Sequence, residues 1–437
     1  MSEVWNRSND STDEPVKAQA SPQTLAAFAV VAAVLFNMML CFVNTTLFGI
    51  SVSVVIAAEM AVIGTALALV WYRSYTLYAI VFLLTAYFFV VMLIRSEFDP
   101  KIVRDLLIPV VFFFLGSYLG SPRSADKLMT FLIVLALGTA LFEWFALNTY
   151  LHFFDVIHYY QARGTEQTLQ ADTARRLFIR GADTTAGLFI NATRFGERAL
   201  LPFLGEHRVS GIMLEPVSVG NFGAIAFAWV LLRDRARIWA LIAKVLAIAT
   251  ILVLADARFG VYLCILTVVI YLFAPLIRPA MLFFLPFLMI ISLVTYAGVH
   301  VHAAWDNTIA GRLLYAGGSL TALDPSQLFG LRTSNIFEAG YSGDSGYGYV
   351  LVKIGLAGLL AIWALFVYAP VVDSNAWRFK NFIAFYVVFL LTISASLFSI
   401  KTAALLWFLY GTLNNPSLNA GSNSSAARYG AIPERTD

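Results

Sequence analysis

The chain has 437 residues, of which 60% are hydrophobic and only 13% charged, with 36 Phe among them; no water-soluble globular domain has such a composition, so its solvent is lipid. A formal net charge of +3, scattered without a polybasic run, excludes a nucleic-acid footprint. The two cysteines, Cys41 and Cys264, lie inside apolar runs, which excludes a disulfide or zinc framework.

Residues 1–22 are polar and mixed in charge, and no small-residue cleavage site follows the first apolar run, so this end reads as a cytoplasmic tail before a signal-anchor. A bilayer core of about 30 Å needs roughly 20 apolar residues per helix. On that measure spans are predicted at 25–43, 47–71, 75–94, 106–119, 128–147, 211–232, 238–254, 259–276, 281–299 and 349–371. The last apolar stretch, 382–413, is too long for one span and is interrupted at Lys401, so it divides into two. The expected fold is all-α: a polytopic membrane protein with about 12 transmembrane helices over residues 23–413. A Ser-, Asn- and Gly-rich tail, 414–437, reads as disordered.

Short-loop Lys and Arg stay on the cytoplasmic side. With the N-terminus inside, the inner loops carry Arg73, then Arg123 and Lys127, then Arg233, Arg235 and Arg237, then Arg278, then Arg378 and Lys380. One outer loop runs against the rule, with Arg95, Lys101 and Arg104, but Glu97, Asp99 and Asp105 accompany them. Both termini are then cytoplasmic. The two long connections, 148–210 and 300–348, fall outside; their aromatic content predicts short helices folded over the membrane surface rather than linkers.

All five histidines (His152, His158, His207, His300, His302) lie in these two loops, and the first also carries seven Arg and no Lys. Guanidinium forks suit phosphate oxygens, although for most of these arginines pairing with the six acids of the loop is the simpler reading. Three stretches are sharper. His207-Arg208-Val-Ser-Gly211-Ile-Met-Leu-Glu215-Pro216 carries a carboxylate into the sixth span, where an unpaired charge costs roughly 2.5 kcal/mol or more at full depth. Glu215 is either a structural partner of a neighbouring cation or a group facing a polar cavity that Pro216 helps to open. Asp256-Ala-Arg258-Phe-Gly260 is an outer hairpin too short to leave the surface, so Arg258 is held at the headgroup level, as an interfacial anchor or a phosphate ligand. Gly343-Asp344-Ser-Gly346-Tyr347-Gly348 permits close approach to Asp344 but is also ordinary turn chemistry. Lys244 and Lys353 are expected to snorkel, whereas Glu59, mid-span, must pair, stay protonated or line a cavity.

Together these residues resemble the Wzy-like family of polysaccharide polymerases and O-antigen ligases, and most closely its xanthan-type exopolysaccharide polymerases. The resemblance rests on order: Arg208, Gly211, Glu215 and Pro216 leading from the first large loop into a helix; Arg258 at the next tight outer turn; Gly311 and Arg312, then Pro325 and Gly330, in the second large loop; and Asp344 to Tyr347 before a helix with Gly355 and Gly358. The ligase branch carries a histidine in the closing motif, where this chain has Asp344 and no His after His302, which favours a polymerase.

The resemblance implies an enzyme of the bacterial inner membrane, active on the periplasmic face, that transfers a chain from undecaprenyl pyrophosphate to a sugar hydroxyl of the next lipid-linked unit. Chain-length regulators and export proteins would be its partners. Arg208 and Arg258, supported by Arg312, would stabilise the departing pyrophosphate, and Glu215 or Asp344 would accept the hydroxyl proton, with His207 and Tyr347 in support. No metal-ligand cluster is evident, so neither metal nor cofactor is expected. The competing readings are a lipid-linked oligosaccharide flippase or other export transporter, and a non-catalytic scaffold. Transporters keep loops short and place ionisable groups at the membrane midplane.

Overall fold

The structure, a computed structural model, describes residues 21–97, 99–163, 200–204, 207–301, 309–332 and 345–415. Among these residues there are helices and turns and no β-strand. In chain order the α-helices are α1 (Pro22–Thr46), α2 (Val52–Val70), α3 (Tyr75–Arg95), α4 (Pro100–Leu119), α5 (Pro122–Phe145), α6 (Leu147–Phe153), α7 (Val156–Ala162) and α8 (Pro216–Arg233). There follow α9 (Ile238–Leu254), α10 (Arg258–Phe273), α11 (Pro279–Val299), α12 (Ile309–Thr321), α13 (Pro325–Leu328), α14 (Gly346–Tyr368), α15 (Ser374–Leu391) and α16 (Ile400–Leu413). Nine helices among the described residues are long and apolar enough to cross a membrane, and α9 and α16 are apolar but shorter.

The helices start where local chemistry dictates. Pro22, Pro100, Pro122, Pro216, Pro279 and Pro325 each open one, because the first turn has no use for the missing N–H. Ser21, Ser74, Ser121, Asp155, Ser345 and Asp373 cap with their side chains, replacing bonds that the first turn cannot make internally.

These caps correct several expected boundaries. The fourth span begins at Pro100, behind the Asp99 cap, so Arg104 and Asp105 belong to a helix and not to the preceding loop. Pro216 does not disturb a helix begun at 211; it is the first residue of α8. Residues 382–413 do form two helices, but the break lies before Lys401, which sits in the first turn of α16. The helix before it starts at Ser374, which places Arg378 and Lys380 on α15 and not in a loop. There the buried Lys380 ammonium donates to the carbonyls of Val367 and Ala369, at 2.8 and 2.6 Å, closing the C-terminal end of α14.

Alternation of direction gives the bundle two ends. One carries short turns; the other carries the long connections 148–210 and 300–348, and is termed the loop end. Both long connections hold short helices: α7 packs on α1, α12 on α11 and α14, and α13 on α14. Helix α14 is broken at Gly355, whose φ of 79° is open to glycine at no steric cost. The carbonyls freed by the break are taken by Arg95, which donates to Val352 at 2.6 Å, and by the Tyr87 hydroxyl, which donates to Ile354 at 2.6 Å.

Candidate functional site

The segment that enters α8 is built around a carboxylate that the sequence did not flag. Glu143, in the last turn of α5 and wholly buried, accepts hydrogen bonds from the backbone N–H of Ser210 at 2.9 Å and of Gly211 at 2.6 Å, and lies 3.0 Å from His207 Nε2. Gly211 and Leu214 both have positive φ, 51° and 56°, so the chain reverses twice in four residues. Leucine in that region carries a cost of about 1–2 kcal/mol, and it persists because the turn is held from several sides. The Tyr150 hydroxyl donates to the Gly211 carbonyl at 3.0 Å, and Lys401 Nζ donates to the Met213 carbonyl at 2.9 Å.

Two of the expected cations meet at the α9–α10 hairpin. Arg208 Nε donates to the Ala255 carbonyl at 3.1 Å and its Nη2 to the Asp256 carbonyl at 3.2 Å. Arg258 opens α10, half-exposed, with Nε 3.8 Å from the Asp256 carboxylate, which also accepts from the Leu200 N–H at 2.8 Å. Asp256 itself adopts a φ of 46°, the tight turn expected of this hairpin. Arg312 stands elsewhere, on α12, which packs against α11 and α14.

Glu215 immediately precedes α8 and pairs with a cation from the far end of the sequence. Lys401 Nζ donates to Glu215 Oε2 at 3.0 Å, Ser218 Oγ donates to the same oxygen at 2.8 Å, and the Tyr160 hydroxyl donates to Oε1 at 2.7 Å. The depth of the site pushes this carboxyl up, but the Lys401 ammonium and the three hydrogen bonds outweigh it and hold the group at about 2. The compensation expected for Glu215 thus comes from a lysine.

A second set of charges lies at the same end. Arg104 bridges Glu59 at 2.8 Å and Asp105 at 2.6 Å, and the Tyr349 hydroxyl donates to Asp105 at 2.8 Å. Glu59 therefore pairs. Lys101 lies over the Tyr349 ring, 5.4 Å from its centroid. Between the two sets stand Asn37 of α1, which accepts from the Tyr159 hydroxyl at 2.8 Å, and Arg163, just past α7. Lys353, expected to snorkel, pairs with Asp99 at 2.8 Å; Lys244, at the short-turn end, pairs with Asp234 at 2.7 Å.

Of the residues singled out in the sequence, Arg208 and the Glu215 turn lie on contiguous chain, and Arg258 lies on the hairpin that Arg208 binds. His207 joins Glu143, and Tyr347 is fully buried with its hydroxyl donating to the Val388 carbonyl at 3.1 Å. Asp344 and His302 lie outside the described residues, as do Arg175, Arg176, Arg180, Arg194 and Arg198 of the first loop. Sequence alone gives Glu143 no role, reads Lys401 as a break between two spans, places Arg104 in an outer loop and groups Arg163 with six other loop arginines suited to phosphate. The available signal for Glu143 and Lys401 was a lone charge inside an otherwise apolar run. Among the described residues no three His, Cys, Asp or Glu side chains converge as metal ligands would. No family model matches the chain, and neither a curated protein nor a solved structure shows significant similarity to it.

Proposed function

We propose that this chain is a bacterial inner-membrane polymerase that joins undecaprenyl-pyrophosphate-linked oligosaccharide units, with twelve spans, both termini in the cytoplasm and the loop end in the periplasm. In the reaction a sugar hydroxyl of one lipid-linked unit attacks the anomeric carbon of another. The bond from that carbon to the pyrophosphate oxygen breaks, a carboxylate takes the hydroxyl proton, and undecaprenyl pyrophosphate departs.

One observation carries this reading beyond the resemblance: every Asp, Glu, Lys and Arg on the described helices lies within roughly two turns of a helix end, and the loop end gathers charges from α2, α4, α5, α10, α14 and α16, with Arg163 just past α7 and Glu215 just before α8. A transporter is expected to hold ionisable groups at the midplane, whereas the groups nearest a middle among these helices, Glu59 of α2 and Lys244 of α9, are each paired with another side chain. Polar chemistry is concentrated where a lipid pyrophosphate and its sugars would lie.

The roles divide by electrostatics. A carboxyl held at about 2 is a poor proton acceptor near neutrality, so Glu215 acts as an orienting group, fixed by Lys401, and Asp344 is the proposed base. Arg258, half-exposed on the hairpin, meets the pyrophosphate, and Arg208 secures that hairpin through Ala255 and Asp256. The test is chain growth by the purified full-length protein on a synthetic lipid-linked repeat. A ladder of products is expected; translocation without elongation would establish a flippase, and neither activity would leave a scaffold.

A further inference from the structure

Among the described residues, several charges at the loop end pair across helices. Lys401 takes Glu215, and Arg104 takes both Glu59 and Asp105. Arg163, half-buried beyond α7, has no carboxylate of the described residues within 4.0 Å, although Glu59 and Glu215 both lie close enough to influence it. Among the described residues its side chain makes one hydrogen bond, to Asn37 Oδ1 at 3.5 Å, and that oxygen already accepts from Tyr159 at 2.8 Å. Its remaining contact is with the ring of Tyr160, 5.9 Å from the centroid. A guanidinium has five donors; none of the nitrogens here is both buried and unpartnered, so the unengaged donors of the fork face solvent.

We propose that Arg163 is a pyrophosphate-binding residue for the lipid-linked substrate, its fork left open by the fold for two phosphate oxygens. This rests on the polymerase reading and adds to it a residue that the family pattern does not mark. Three features support the assignment. The fork matches phosphate geometry in two-point contact. The neighbouring carboxylates are each engaged by another cation, so they do not compete for it at contact distance. Tyr159 and Tyr160, buried beside it and bonded to Asn37 and Glu215, fix the end of α7 that carries it. The competing explanation is a purely internal role, in which Arg163 balances at long range the excess charge of Glu59 and Asp105.

The experiment uses the full-length protein in phosphatidylcholine nanodiscs, with farnesyl diphosphate, farnesyl monophosphate and phosphatidylglycerol as separate probes and melting temperature recorded on the same samples. The wild type is expected to prefer the diphosphate, and Arg163→Gln to raise its Kd at least tenfold while the melting temperature is maintained. Arg163→Lys, which keeps the charge and loses the fork, should recover only part of the affinity. Unchanged diphosphate affinity in Arg163→Gln overturns the assignment and leaves the polymerase reading standing; a wild type that binds no diphosphate overturns both. Equal loss of diphosphate and phosphatidylglycerol overturns the pyrophosphate assignment in favour of a headgroup site. Should Arg163→Gln fail to fold, Arg163→Lys decides, since wild-type affinity there rules out the two-point contact.

Discussion

Arg163 and Arg208 both belong to the first long connection and meet different environments. Arg208 finds backbone carbonyls of the α9–α10 hairpin for its Nε and Nη2; Arg163 finds one long contact to an already occupied oxygen. Both are arginines of one loop, and residue type alone ranks them equally as phosphate ligands. The difference teaches that the role of a cation follows from how many of its donors the fold has already engaged. The turn between Glu143 and Lys401 belongs to the first kind of environment, in which charge serves to hold the chain in place.

The strongest test of that division is Lys401→Met, which strips both the Glu215 carboxylate and the Met213 carbonyl of their partner. Leaving a charge unpaired at such a site costs about 3–5 kcal/mol, and adding Glu215→Gln should recover a substantial part. Thermal unfolding in detergent measures both; additive effects in the double variant would show that the pair does not organise the turn. Next comes Glu143→Gln, where an amide replaces a carboxylate that accepts from Ser210 and Gly211. A loss of about 2–3 kcal/mol is expected, since bonds to charged groups are worth more than neutral ones. Amide exchange localised to residues 207–214 would report it, and unaltered protection there would refute the anchoring role.

Arg208→Lys should be milder, about 1 kcal/mol, because an ammonium can reach one hairpin carbonyl but not two with the same geometry. In the chain-growth assay this variant should respond less than Arg258→Lys; the reverse order would place Arg208 on the pyrophosphate after all. The smallest effect concerns pH. The Glu215 carboxyl lies lower in the folded protein, at about 2 against an ordinary 4.5, so its contribution is full above about pH 4.5 and is lost only as pH falls toward 2. Stability differences between wild type and Glu215→Gln should therefore be flat from pH 5 to 8. Any fall in turnover across that range belongs to another group, and its disappearance in Asp344→Asn would identify the base.

Much of the architecture is legible along the chain because lipid imposes a one-dimensional rule: apolar runs long enough to cross, separated by charged turns. Every predicted span overlaps a helix of the structure, and the errors lie at boundaries, where caps decide. Pro100 and Pro216 mark their helix starts in the sequence itself, but the apolar run begins later at the first and earlier at the second. The tight Asp256–Arg258 hairpin was equally readable, since two spans joined by three residues leave no other course.

By itself, then, the sequence determined the solvent, the helices, the two long connections and the gathering of most charge toward the helix ends. The tertiary structure decided the pairings: Lys401 with Glu215 across 186 positions, Tyr349 with Asp105 across 244, and the backbone of Gly211 with Glu143 across 68. Among the described residues it also left Arg163 without a carboxylate within 4.0 Å. The physical reason is that hydropathy sums over neighbours in sequence, whereas a charge is stabilised by whatever stands within about 4 Å of it in space.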